Sequence, residues 1–472
     1  MNNELKQKYG LLTAICMVVG IVIGSGVFFK ATPVFTNNGG SMVRSILTVL
    51  VVGVLMTTCA YTFSILASKY SKVNGIVDYA EASCGAGLAY TVGWFMSVIY
   101  YPIIGSTLAW VSANYTCSLF GIGNANVRLL ITVSYLTASF VLNAVSPKIS
   151  GKFQISTTVI KLIPLGIMAI VGTLVGLING QTIENLTRDT ANMVSSGGSF
   201  FGAVVAFAFA YEGWIIATSI NAELHDAKKN LPKALVIGTL VVIAVYVTYF
   251  VGIASVLSVD EIMAAGSDLP KVAFPALFGG NAVFGTIVYV FIIISCLGTM
   301  NGIMIGTSRG LYAIAVRNQG PAPEKIVKIH EKSNMPLVSA IIGFTISLVW
   351  MLQWEFGLIR GMLPEFISFE NDELPIITLY AFYIPIFINM MRHSKELHPV
   401  KRFILPAFSI ASCLFMIFCA FYAYKIQALY YLIVFAVIML VGMMFYRNTN
   451  GEALISRIVD KLAKKNTEAT EK

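Results

Sequence analysis

A chain of 472 residues, 57% hydrophobic and only 12% charged, cannot clothe a soluble domain, whose ordinary share of charge is about 25%. Its mean hydropathy of +0.78 describes a polytopic membrane protein, since apolar runs long enough for a helical span (about 20 residues) recur from end to end. The net charge of +9 would suit a nucleic-acid partner only if it were clustered on one surface, and its distribution along the chain shows that it is not.

Twelve spans are predicted, at 11–36, 42–69, 88–118, 127–146, 153–178, 199–222, 234–257, 276–316, 336–354, 374–391, 403–424 and 429–446. The opening segment 1–10 is mildly basic, and no A-x-A cleavage site follows it, so the first span is expected to stay in the mature protein. The eighth segment is too long for one simple crossing, and its far end is expected to continue as a cytoplasmic helix. The tail 447–472 reads as a short amphipathic helix ending in the disordered NTEATEK. With both termini cytoplasmic, 23 of the 32 lysines and arginines fall in inside segments. The surplus charge is therefore a topology signal, and no nucleic-acid partner is expected.

The seven cysteines are scattered and unpaired in sequence, which argues against a disulfide framework or a zinc site. Histidines 225, 330, 393 and 398 all fall in predicted cytoplasmic segments and form no metal-like cluster. No cofactor and no metal is expected, and without a soluble domain an enzyme is disfavoured.

The first span carries GIVIGSGVFF, Gly20 to Phe29, with three glycines and a serine in seven residues where a helix loses most by them. One reading is close helix packing, since Gly20 and Gly24 form a GxxxG pair. The other makes Gly24-Ser25-Gly26 an unwound turn, with a half-helix starting near Val27 whose amide groups face an anion such as a carboxylate. Span six supplies a second interruption at Glu212-Gly213, within FAFAYEGWIIATSI. Two breaks five spans apart favour a carrier built from inverted repeats, about 11–178 and 199–391, with 403–446 added. Lys161 lies inside span five with no carboxylate within a helical turn. It could occupy a cation site, exchange a proton, or snorkel to the cytoplasmic side. Glu212 could couple to protons, meet a substrate amine, or matter only through its backbone.

Six segments in order resemble the amino acid–polyamine–organocation superfamily, and within it bacterial relatives of the L-type amino acid transporters. They are GIVIGSGVF, GWFMSVIYYPIIGSTLAWVSANY, the region of Lys161, FAYEGW with ELHDAKKNLPKA, LGTMNGIMIGTSRGLYAIAVRNQGPAPEKI, and RHSKELHPVKR. The resemblance implies an all-α fold of twelve transmembrane helices, LeuT-like, with helices 1 and 6 discontinuous. It implies that a substrate carboxylate meets the backbone and hydroxyl of Gly24, Ser25 and Gly26. The ammonium would meet carbonyls near Ile21 or Val22 and near Phe209 or Glu212. Phe209 would close over the substrate, Trp214 would support the site, and Lys161 would stand where sodium sits in sodium-coupled relatives. The paired acids that follow span six in the family are reduced here to Ala222-Glu223, and the family's Asn-Pro to Asp226-Ala227. Cys117 does not match the cysteine that tethers animal members, so no heavy-chain glycoprotein is expected.

The expected function is alternating-access transport, with sodium-independent exchange of neutral L-amino acids as the first reading. Proton-coupled symport is the alternative, and a non-translocating amino acid sensor is the competitor from another class. The expected location is a bilayer, a bacterial inner membrane, with the chain passing through it many times.

Overall fold

The computed structural model describes residues 7–70, 74–145, 147–188, 199–331 and 333–447. The expected amphipathic tail therefore lies outside the described residues, apart from Arg447. Among the described residues there is no β-sheet, only two isolated bridges, and twelve helices are long and apolar enough to cross a membrane. They are span 1 (Leu11–Phe29), span 2 (Met42–Lys69), span 3 (Ala86–Phe120), span 4 (Ala125–Val145), span 5 (Ile149–Asn179) and span 6 (Phe200–Glu223). Span 7 (Ala227–Val256), span 8 (Val283–Ala315), span 9 (Leu337–Ile359), span 10 (Pro375–His393), span 11 (Val400–Tyr424) and span 12 (Ile426–Met444) complete the set.

Packing follows a five-span period. Span 2 lies along span 7, span 3 along span 8, and the two broken spans, 1 and 6, cross each other. An element meets its own counterpart in this way when two repeats are related by an axis through the bundle. Spans 1, 2, 6 and 7 thus form one packed group, and spans 3, 4, 8 and 9 another.

The eighth segment differs from its expected bounds at one end only. Its front begins later, because Leu269–Leu277 is a separate helix and a turn with left-handed glycines at 279 and 280 precedes span 8. Span 8 nevertheless runs unbroken for 33 residues to Ala315, longer than one simple crossing needs, as expected of a helix whose far end continues past the hydrocarbon.

Glycines let the helices touch through their backbones. A Cβ on Gly252 of span 7 would stand 2.1 Å from the Met168 carbonyl oxygen of span 5, and one on Gly176 would stand 2.1 Å from that of Ser255. Such contacts replace the side-chain interdigitation of soluble cores, because lipid offers helices no hydrophobic reason to associate.

Each end of the bundle is closed by charge. At the end carrying Tyr9, the buried Glu223 carboxylate pairs with Arg309 and Lys8, while its carbonyl accepts the amides of Lys8 (2.8 Å) and Tyr9 (3.0 Å). At the opposite end Lys30, one residue beyond span 1, pairs with Glu373 and lies 3.3 Å from Asp372. The Tyr424 hydroxyl donates to the same Glu373. Glu370 completes this acidic loop. Burial pushes its carboxyl up to about 8, with repulsion from Asp372 and Glu373 adding to the effect.

Two outcomes follow from this packing. Gly252→Ala adds a methyl against backbone that cannot move aside, and is expected to lower stability by about 1–3 kcal/mol, read as a lower Tm of the detergent-solubilised protein. Folded Glu370 holds a proton that the unfolded chain releases from its ordinary 4.5 upward, so its contribution to stability is lost as pH rises toward about 8. Melts at pH 5 and pH 8 should therefore show Tm falling less with pH in Glu370→Gln than in the parent; equal slopes would refute the assignment.

Candidate functional site

Span 1 is helical from Leu11 to Val22 and again from Gly26 to Phe29, with Ile23 to Ser25 unwound. The break lies one residue earlier than expected, and Gly26 opens the half-helix. The glycines serve both readings of the sequence. A Cβ on Gly20 would reach 2.2 Å from the Thr158 hydroxyl of span 5, and one on Gly26 would reach 2.6 Å from the Ala210 Cα of span 6. Neither Gly24 nor Gly26 has a positive φ. They are glycine because neighbouring helices approach closely, and the turn itself forms with ordinary backbone angles. As at any helix start, the first amides of the half-helix have no partner in their own helix.

Span 6 breaks differently. Tyr211 ends its first half, Glu212 is extended, and Gly213 sits at φ 107°, a conformation that a side chain would oppose. The second half, Trp214–Glu223, is wound as a 3₁₀ helix.

The two breaks enclose one cavity. It is lined by Ile21, Val22, Gly24, Ser25 and Gly26 of span 1, by Phe209, Glu212 and Gly213 of span 6, and by residues of spans 3 and 8. Seven residues expected at the site from the sequence and the family resemblance (21, 22, 24, 25, 26, 209 and 212) are thereby brought together. The Ser25 hydroxyl is buried without a hydrogen-bond partner among the described residues. Phe209 closes one side, edge-on to Phe29 with centroids 6.5 Å apart, and the Lys30 ammonium lies 5.4 Å from its ring. Among the described residues Glu212 is the only ionisable one lining the cavity, and its carboxylate accepts from the Tyr100 hydroxyl at 2.7 Å. Tyr100 ends a wide turn, Met96–Tyr100, that reshapes span 3 at this depth.

Two expected site residues stand outside the cavity. Trp214 is fully buried behind the second break, against Phe63 (5.9 Å) and Tyr383 (6.0 Å). Lys161 is fully buried beneath the first break and does not snorkel. Its ammonium donates to the carbonyls of Gly20 (2.7 Å), Ile23 (2.5 Å) and Ser295 (3.1 Å) and to the Thr299 hydroxyl (3.0 Å). It thus answers the carbonyls that span 1 frees by unwinding.

The carbonyls expected to meet an ammonium are partly engaged. That of Val22 lies 3.0 Å from the Tyr246 hydroxyl and accepts the Gly24 amide at 2.9 Å, and that of Phe209 accepts the Glu212 amide at 3.2 Å. Sequence reasoning missed Ile104, Leu108, Thr299 and Ile303, which line the cavity, and the supporting Tyr100, Tyr246 and Ser295. A signal was present: Ser295, Thr299 and Ile303 recur every fourth residue on one face of span 8, and Ile104 and Leu108 do the same on span 3.

Comparisons with known proteins point to one family. The profile of the family described as amino acid permease matches residues 9–445. The chain is 29% identical over 401 residues to the serine/threonine exchanger SteT of Bacillus subtilis (strain 168), covering 85% of this chain and 86% of that one. It is 27% identical over 425 residues to the human cystine/glutamate transporter, covering 89% and 81%. With the rat b(0,+)-type amino acid transporter 1 it shares 25% over 436 residues, covering 88% and 86%. A twelve-span chain with broken first and sixth helices, matched from Tyr9 to Phe445, belongs to the amino acid permease family of the amino acid–polyamine–organocation superfamily.

Proposed function

We propose that this protein is a secondary transporter that exchanges neutral L-amino acids across a membrane by alternating access, without sodium. The observation that carries the reading is the cavity between the two helix breaks, with the helix-start amides and unpartnered Ser25 hydroxyl on one wall and the Glu212 carboxylate on the other. A zwitterion fits that polarity: its carboxylate takes the positive end of the half-helix and its ammonium the side of Glu212. The relatives with exchanger or transporter names support amino acids as the cargo.

Neutral side chains are favoured because, among the described residues, no cationic one lines the cavity to meet an acidic side chain. Sodium independence is favoured because the Lys161 ammonium already occupies four oxygens at the first break, and a second cation there would meet like charge. The basic end near Tyr9 is the cytoplasmic one in this reading, with residues 11–391 as the transport core in two inverted repeats, 403–446 as added spans, and a bacterial inner membrane as the setting. No heavy chain is included, since Cys117 is buried rather than free to tether a partner. One observation favours proton coupling as a second reading: Glu212 is a buried carboxylate with a tyrosine partner and no ion pair among the described residues.

Uptake into proteoliposomes separates these readings. Neutral amino acids should enter vesicles preloaded with unlabelled amino acid, without sodium and without a gradient. Accumulation into empty vesicles driven only by an inward proton gradient would move the assignment to symport, and binding without flux would make the chain a sensor. Within the exchange reading, Ser25→Ala removes one hydroxyl contact and should raise KM by about 2–10-fold with turnover kept. Lys161→Ala, which strips a buried cation from four oxygens, should abolish exchange; full activity in that variant would refute its role.

A further inference from the structure

The second half of span 6 is a ten-residue 3₁₀ helix, Trp214–Glu223, where runs beyond three or four residues are uncommon. Its sequence, WIIATSINAE, explains how the tight winding is tolerated without being strongly preferred. Ile215, Ile216 and Thr218 are β-branched, and the Thr218 hydroxyl donates to the Ile215 carbonyl three residues back (2.7 Å). The stretch also carries unmet polar groups. Among the described residues, Trp214 Nε1, Ser219 Oγ and Asn221 Oδ1 are buried with no hydrogen-bond partner. The stretch starts at left-handed Gly213, a pivot free to turn, and ends at Glu223, the residue that holds Arg309, Lys8 and the amides preceding span 1.

We infer that Trp214–Glu223 is a wound spring held in its 3₁₀ form by the Glu223 clamp, and that its rewinding toward an α-helix opens the Tyr9 end of the bundle. The geometry gives the stroke. Ten residues rise about 20 Å as 3₁₀ and about 15 Å as α, a shortening of about 5 Å, and the twist differs by about 200° over the same length. No side chain at the far end keeps its partner through such a turn. Rewinding therefore withdraws the Glu223 carboxylate from Arg309 and Lys8 and releases the segment at Tyr9, which is bridged to Leu224. Because Gly213 also lines the cavity, the same motion reaches the site. In a chain that works by alternating access, this ties opening of one end to what the cavity holds.

The test reads distance and needs no substrate, so its failure is separable from failure of the transport assignment. Spin labels are placed through Ala222→Cys on the spring and Val338→Cys on span 9, in a Cys84→Ala background, since the six other cysteines are buried. Two triggers are compared. Glu223→Gln weakens the clamp, and the pair Thr218→Ala with Ser219→Ala favours α-helix while leaving the clamp intact. Both should add a second distance population displaced by up to about 5 Å from the main one. One unchanged distance in both variants overturns the inference. So does a shift in Glu223→Gln alone, which would mean an end released without rewinding. Should either variant fail to fold, hydrogen exchange on the unsubstituted chain decides: the amides of 214–223 should open as one block, and residue-by-residue fraying from the Glu223 end would refute the spring.

Discussion

A backbone that stops being helical in the middle of a hydrocarbon layer must find other partners for its carbonyls, and the whole site depends on how that demand is met. Where span 1 unwinds, the Gly20 and Ile23 carbonyls turn to the Lys161 ammonium and to Thr299. Without these partners each unmet group would cost several kcal/mol, and the cheaper structure would be an unbroken helix with no amides to offer. The lysine is thus the condition for the break. Its own burial is tolerable because four oxygens from two spans surround it.

The second break is managed by conformation instead. Gly213 takes a left-handed turn, Glu212 projects from extended backbone, and the Tyr246 hydroxyl lies 2.7 Å from the Ala210 carbonyl and 3.0 Å from that of Val22. A single tyrosine of span 7 therefore touches both broken helices. The two halves of the site are held together by this bridge and by the Gly26–Ala210 crossing. Everything else in the bundle, including the glycine seams of spans 5 and 7, keeps a scaffold still around these few irregular residues.

Much of this was legible in the sequence, for physical reasons. Span number follows from apolar length, and the two breaks follow from glycine and acid placed where a lipid-spanning helix should have neither. Lys161 announced itself because an intramembrane ammonium needs partners. What escaped were residues whose chemistry is ordinary in a span. Ile104, Leu108 and Ile303 look like any lipid-facing aliphatic until the packing shows which face they occupy. Tyr100 needed the wide turn of span 3 to bring it to Glu212. Trp214, expected from the resemblance to support the site, packs its ring behind the left-handed Gly213 onto Phe63, a contact that only the fold brings about. Reading Gly26 as part of the unwound turn failed because a glycine kept for close approach and one kept for backbone freedom look identical in sequence.

Span 8 bears on a different matter, the membrane itself. Its 33 residues measure about 50 Å, against a hydrocarbon layer of about 30 Å and a full bilayer of about 40–45 Å. Tilting of the usual size, about 20°, removes only a few ångströms of that excess. One or both ends must therefore stand at or beyond the headgroups, and the far end carries Arg309, partner of the Glu223 clamp. Both side chains of that pair are buried within the protein, so a thicker bilayer would strengthen it by lowering the dielectric around that end, whereas a thinner one would bring water and salt closer to it. The lipid in which the chain sits is in that sense a setting on its closure, imposed through nothing more than the length of one helix.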